Sequence, residues 1–288
     1  MVKNHYKLLG EENPETSPLV LMIHGAAGDM HHYETVTPAL IEKGYRVLLM
    51  DVRYHGLSQL QENENVDPET TTWTFEDVLQ DIDTMLDKVK KKYYEKTNEI
   101  TLFVAGLSMG GVTTLLYAEK RAKEEKQGIK LAGIIPIASA IPHLEITREG
   151  WSFYAERKAT LELLEWSKSS IIASSITPEG QEETRRAMQL ISNHSLYECL
   201  VAIGSMLPNP SDPPMPYSAV NVPTFLIFPD KDPLTKPEMD LFYELCKEQK
   251  VDVEKIVIKD AGHMVILDQG PQVGNHIATF VERVLSKD

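Results

Sequence analysis

The sequence predicts an α/β fold: a mostly parallel, doubly wound sheet with a helical segment inserted before its last two strands. Three observations predict it. Runs such as Leu19–Ile23 and Tyr45–Met50 are apolar throughout, as strands buried on both faces must be. Amphipathic helical stretches separate such runs, and that alternation is the signature of a sheet covered by helices on both sides. The alternation stops near Ile141 and resumes at Val222, with only helical or proline-rich sequence between. A core of residues 1–140 and 219–288 is therefore expected, with residues 141–218 as a helical cap, or lid.

Taken in order, His5–Leu9 makes a short strand, and a polar turn carrying Pro14 and Pro18 follows. Leu19–Ile23 is a buried strand that ends in His24-Gly-Ala-Ala-Gly-Asp29. Tyr33, Val36, Leu40 and Ile41 fall on one face of a helix that Gly44 stops. Tyr45–Met50 runs into Asp51-Val-Arg-Tyr-His-Gly56, and residues 57–72 lack periodicity and read as a surface loop. Thr74-Phe-Glu-Asp77 has the form of a capping box opening a helix whose inner stripe is Val78, Ile82, Met85 and Val89. Lysines 88 and 90–92 suit the negative end of that helix. The β-branched run from Ile100 ends at Gly106, and a helix extends from Met109 to about Glu125. Leu131–Ala138 is a further apolar strand that contains Pro136.

Within the insertion, Trp151, Tyr154, Leu161 and Leu164 fit one helical face, and Thr177-Pro178 reads as an N-cap with proline at the first position. Ser195-Leu-Tyr-Glu198 reads as a second capping box, and Pro208, Pro210, Pro213, Pro214 and Pro216 return the chain. Val222–Phe228 is a strand, followed by a helix near Pro237 with Met239, Phe242 and Leu245 inward. Val253–Ile258 is the last strand, and the final helix begins near Pro271 with Val273, Ile277, Phe280 and Val284 on its buried stripe.

Bulk properties exclude several classes. The 288 residues are 42% hydrophobic and 25% charged, a globular balance, and carry a net charge of −14 that argues against nucleic acid or an anionic membrane as partner. No run approaches the ~20 apolar residues of a membrane span, and no secretory leader is evident, so a cytoplasmic location is expected. Cys199 and Cys246 stand apart and read as reduced thiols. No His, Cys, Asp or Glu spacing suggests a metal, His31-His32 with Glu34 being too slight, and no glycine loop suggests a phosphate or dinucleotide, so no cofactor is expected.

The chemistry concentrates at Gly106-Leu-Ser-Met-Gly110. A serine between a strand and a helix, with glycine two residues away on each side, is the pattern of a nucleophile elbow. Such a serine needs a base and an acid to orient it, and in an open parallel sheet these lie where later strands end. His263 follows the last strand, and Asp230 and Asp232 both follow the strand ending at Phe228. An oxyanion hole needs two N–H donors, and Met109 at the head of the helix supplies one.

In these motifs the chain resembles the α/β-hydrolase superfamily, serine hydrolases of the esterase and lipase kind with a helical lid. The resemblance implies Ser108 as nucleophile, His263 as general base and, of the two acids, Asp232. It implies the Ala26 amide of His24-Gly25-Ala26 as second oxyanion donor, with Ala27 as the weaker choice. One departure stands out: Tyr54 occupies a place in Asp51-Val-Arg-Tyr-His-Gly-Leu-Ser58 where the family commonly has glycine. The expected reaction is cleavage of a carboxylic ester, lactone or thioester through an acyl-enzyme, on a small substrate. Trp151, Tyr154, Met188 and Met206 either form the cap's own core or, with Ala27, line an apolar substrate pocket. Rival readings are a binding protein or receptor with little turnover, and a C–C hydrolase or perhydrolase using the same residues.

Overall fold

The computed structural model describes residues 2–59, 70–142, 149–206 and 221–287, leaving aside the side chains of 149 and 150. Seven strands form one sheet: β1 (Tyr6–Leu9), β2 (Leu19–Ile23), β3 (Arg46–Met50), β4 (Ile100–Leu107), β5 (Ile129–Ile137), β6 (Thr224–Pro229) and β7 (Val253–Ile258). Their order is β1-β3-β2-β4-β5-β6-β7, with β1 antiparallel to β3 and all other pairs parallel. The proline in β5 costs little pairing. Ile134 and Ala138 donate to Pro223 and Ile227 across the β6 side, and the alternation of the strand puts the missing donor of Pro136 on that same side, between them.

Side chains alternate between two apolar layers. Leu19, Leu21 and Ile23 pack with Leu102 and Val104 under α2 (Phe75–Tyr93) and α3 (Met109–Lys123), while Val20, Met22, Phe103 and Ala105 face α1 (Thr37–Glu42) and the C-terminal helix, Gly270–Leu285. This is the doubly wound arrangement expected from strands without polar alternation. The Thr74 hydroxyl accepts from the Asp77 amide at 3.1 Å, so α2 starts where the capping pattern places it. The single helix expected over Tyr33–Ile41 is instead a 3-10 turn, Met30–Tyr33, followed by the short α1. Pro38, in the first turn of α1, has no N–H to continue a helix from the preceding turn.

Among the described residues between β5 and β6 there are four helices: α4 (Glu149–Ala155), α5 (Leu161–Ala173), α6 (Pro178–Met188) and α7 (Asn193–Gly204). Thr177 caps α6 as expected, accepting from Gly180 N at 3.2 Å. Two expectations fail here. The capping box assigned to Ser195–Glu198 is not used: Ser192 caps α7 by accepting from Ser195 N at 3.0 Å, and Glu198 instead pairs with Arg157 at 2.6 Å. Leu161 does not share a buried face with Tyr154, because Arg157 turns the chain at φ +55° and Thr160 starts a new helix, leaving Leu161 65% exposed. The five prolines from 208 to 216 lie outside the described residues, as do residues 60–69 of the surface loop expected over 57–72. After β6 come α8 (Lys236–Glu248), then β7, α9 (Val265–Asp268) and α10 (Gly270–Leu285), whose stripe Val273, Ile277, Phe280 and Val284 is buried as predicted. Among the described residues no helix is long and apolar enough to cross a membrane.

Candidate active site

Three parallel strands, β4, β6 and β7, deliver Ser108, Asp232 and His263 just beyond their carboxyl ends, on the edge of the sheet where such folds bind ligands. Ser108 has φ +54° and ψ −114°, a conformation an L-residue adopts only under constraint. The constraint is visible at the flanking glycines. A methyl group on Gly106 would come within 2.0 Å of the Gly110 carbonyl oxygen, and one on Gly110 within 2.0 Å of the Ile23 carbonyl oxygen. The strand, the turn and the helix thus press together backbone to backbone, and only glycine fits. Ser108 N donates to Ile137 O at 2.9 Å, fixing the elbow to β5. Met109 opens α3, so its amide is one of the first-turn N–H groups that have no carbonyl partner within the helix.

The acid that meets the histidine is Asp232. Its Oδ2 lies 2.7 Å from His263 Nδ1 and also accepts from Thr235 Oγ1 at 2.6 Å, while Oδ1 accepts from Leu234 N at 2.9 Å. Burial works to raise the Asp232 carboxyl, but the hydrogen bonds from His263, Thr235 and Leu234 outweigh it and hold it below the ordinary carboxylate value. An ionised carboxylate only accepts, so Nδ1 of His263 donates this bond, and Nε2 is the ring nitrogen left to face the serine. Asp230 turns elsewhere: its carboxylate accepts from Ala261 N at 3.1 Å and ties the β6 turn to the loop before His263.

The loop after β2 borders the elbow from the other side. A methyl on Gly25 would lie 3.4 Å from Ser108 Cβ, so the segment carrying Ala26 abuts the serine. His24 anchors this loop: its Nδ1 donates to Gly25 O at 2.8 Å and its Nε2 accepts from Val52 N at 2.9 Å. An imidazole that must accept at Nε2 is neutral, and complete burial lowers its proton affinity accordingly. His55 stands beside it with ring centroids 5.2 Å apart and is pushed down to about 3 by the same burial. The loop after β3 is organised by Asp51, which accepts from Met30 N, Leu57 N and His5 Nδ1 at 2.8 to 2.9 Å. Tyr54 takes φ +63°, the left-handed conformation that glycine adopts without strain, so the departure from the family's usual glycine leaves the loop in place at an energetic cost.

The inserted helices meet this edge directly. Cys199 of α7 places its sulfur 3.2 Å from the Met109 sulfur, and Ala26, Ala27, Trp151, Tyr154, Met188 and Met206 belong to the same apolar cluster as Met109. Tyr154 and Met188 are buried, with the Tyr154 ring 6.1 Å from Trp151 and 5.8 Å from Tyr197. Polar anchors complete the contact. Arg186 of α6 donates to both oxygens of Asp29 at 2.8 Å, and Asp268 of α9 accepts from Ser175 Oγ at 2.5 Å and Thr177 Oγ1 at 2.8 Å. Asp268 also accepts from Gly262 N at 2.9 Å, so one carboxylate holds the α5–α6 turn to the loop before His263. Neither Asp29, Asp268 nor Thr235 was singled out by sequence, because each acts on a partner that only the fold brings near or through a turn without a motif.

Fold and edge geometry together define an α/β-hydrolase. The chain matches the family described as serine aminopeptidase, S33, over residues 14–270, and it belongs to that family. It is 24% identical over 295 residues to the proline iminopeptidase PfmaB of Pestalotiopsis fici, covering 96% of this chain and 95% of that protein. A thermostable monoacylglycerol lipase of Bacillus sp. (strain H-257) is 30% identical over 144 residues, 49% of each chain. Among solved structures, a thermophilic esterase of Thermogutta terrifontis superposes with a TM-score of 0.69 at 20% identity, covering 98% of this chain and 94% of that one, which is a likeness of fold.

Proposed function

We propose that this hydrolase is a serine esterase that cleaves a carboxylic ester, lactone or thioester with a hydrophobic part through an acyl-enzyme intermediate. One observation carries the reading: a serine strained on a glycine-flanked elbow shares the carboxyl edge of the sheet with an Asp232–His263 pair hydrogen-bonded at 2.7 Å. In this reading Ser108 Oγ attacks the carbonyl carbon while His263 Nε2 takes its proton. Asp232 holds the imidazole tautomer and stabilises the imidazolium that forms. The tetrahedral oxyanion receives N–H bonds from Met109 and Ala26. Collapse expels the alcohol, protonated by His263, and water then repeats the sequence to free the acid.

Residues 141–218 act as the cap, and its apolar contact with Met109 and Ala26 supports a substrate with a hydrophobic portion. The monoacylglycerol lipase and esterase names of similar proteins favour an oxygen ester. The full-length likeness to a proline iminopeptidase favours a second reading, release of an N-terminal residue from a peptide, which the same serine would perform. Parallel assays on p-nitrophenyl esters and proline p-nitroanilide separate the two, with faster ester turnover expected. Ser108→Ala is expected to lower kcat by about 10⁴ to 10⁶. Ligand-induced thermal stabilisation with negligible turnover on every substrate would instead indicate a binding protein.

A further inference from the structure

One buried cluster takes no part in the reaction described above. Asp29 follows the oxyanion-side loop, His32 lies in the 3-10 turn after it, and Glu183 comes from α6 of the insertion. One donor atom from each lies within 4.8 Å of the other two, and both Asp29 and His32 are 1% exposed. Arg186 accounts for the carboxylates: it donates to both Asp29 oxygens at 2.8 Å and to Glu183 at 2.6 and 2.8 Å. Nothing accounts for the histidine. Among the described residues neither ring nitrogen of His32 has a hydrogen-bond partner, although the ring is enclosed and faces two carboxylates. Leaving a buried polar group unpaired is costly, so an imidazole held this way calls for a partner.

We propose that Asp29, His32 and Glu183 form a binding site for a divalent metal ion, Zn²⁺ being the best fit, that ties α6 to the loop after β2. One imidazole and two carboxylates are a nitrogen–oxygen donor set of the kind Zn²⁺ takes, with water as fourth ligand. Donors around one tetrahedral Zn²⁺ at ~2.1 Å lie roughly 3.4 Å apart, so closing the cluster asks for movements on the order of 1 Å. Charge also favours the exchange. The two carboxylates with Arg186 sum to one negative charge, and a divalent ion in place of the guanidinium brings the site to neutrality. The Arg186 side chain is 38% exposed and has a route to solvent, so it serves as a resident counter-ion that the metal displaces. The idle His32 nitrogens distinguish the two states: the arginine-held state leaves them unused, and the metal-held state uses one.

The sequence concealed the site because Glu183 is remote from Asp29 and His32 along the chain, and the neighbouring His31 and Glu34 are partly or largely exposed. None of the three residues is assigned a step in the reaction at Ser108, so binding is read directly by calorimetry and not through ester turnover. Protein stripped with chelator and then titrated with Zn²⁺ in a calorimeter should bind one ion per chain and gain thermal stability. Co²⁺ in its place should develop visible d–d absorption. His32→Gln should weaken binding by about 100-fold or more, and Glu183→Gln, on the more open side, should weaken it as well. Arg186→Gln should tighten binding by removing the competing cation. Circular dichroism of each variant verifies its fold. If stripped protein binds no ion with these properties, or if folded Glu183→Gln and His32→Gln bind as tightly as the parent while Arg186→Gln gains nothing, the proposal is overturned.

Discussion

The carboxyl edge of the sheet and the helices inserted above it are built differently. At the edge, backbone meets backbone: a methyl on Gly106 or Gly110 would come within 2.0 Å of a carbonyl oxygen, Ser108 and Asp232 hang from strands buried on both faces, and His263 follows β7, the partly exposed strand that ends the sheet. In the insertion, short helices meet the core through side chains, an apolar cluster around Met109 together with Arg186 on Asp29 and Asp268 beneath the α5–α6 turn. Phe153, Leu161 and Trp166 of these helices are more than half exposed. A rigid edge suits groups that must keep hydrogen-bond geometry, because small misplacements there are costly in rate. A region docked through side chains tolerates change more readily, and in the proposed reading it is where substrate preference would be adjusted.

That difference orders the expected responses to mutation. Asp232→Asn should lower kcat by about 10⁴, because the amide no longer fixes the histidine tautomer. Asp230→Asn, whose partner is the Ala261 amide, should keep most activity. Equal losses in the two variants would show that the β6 turn, and not the Asp232–His263 bond, carries the effect. Gly110→Ala should destabilise the fold by roughly 4 kcal/mol or more, measured by urea denaturation, since the obstacle is the Ile23 carbonyl and not a side chain that could move.

Between the two regions lies the buried pair His24 and His55, whose neutral forms hold the loops after β2 and β3. Both proton affinities are lowered in the folded state, so the unfolded chain binds more protons below its ordinary value near 6.5. Stability from this source is complete above pH 6.5 and falls as pH drops, by up to ~1.4 kcal/mol per unit for each histidine. For His55 the loss continues to about pH 3. Urea midpoints at pH 7 and pH 5 should therefore differ, and His55→Phe should reduce the difference. The smallest effect is expected where α9 holds the insertion. Asp268→Asn weakens charge-assisted bonds to Ser175 and Thr177 and should cost about 1 kcal/mol, with KM rising more than kcat falls.

Legibility from sequence divides along the same line. Strands buried on both faces leave continuous apolar runs, and an elbow needs glycines at fixed offsets, so the central strands and the turn at Ser108 are legible in the sequence. The antiparallel β1 and the helix interrupted at Pro38 were legible only in outline, since pairing direction and a split helix depend on neighbours. Asp230 and Asp232 were equivalent by position, and only the fold shows Asp232 on His263. In the insertion, Ser192 displaced Ser195 as the cap because a hydroxyl one turn earlier reaches the Ser195 amide. The anchors Asp29–Arg186 and Asp268 join residues far apart in the chain, so no local pattern could announce them.

The central claim, that Ser108 is the acylated nucleophile, is tested most directly by a fluorophosphonate probe followed by peptide mass spectrometry. The parent protein should gain one adduct, on the peptide containing Ser108, with loss of ester turnover in proportion, and folded Ser108→Ala should gain none. An adduct of equal yield on Ser108→Ala, or one mapped to another residue, would contradict it.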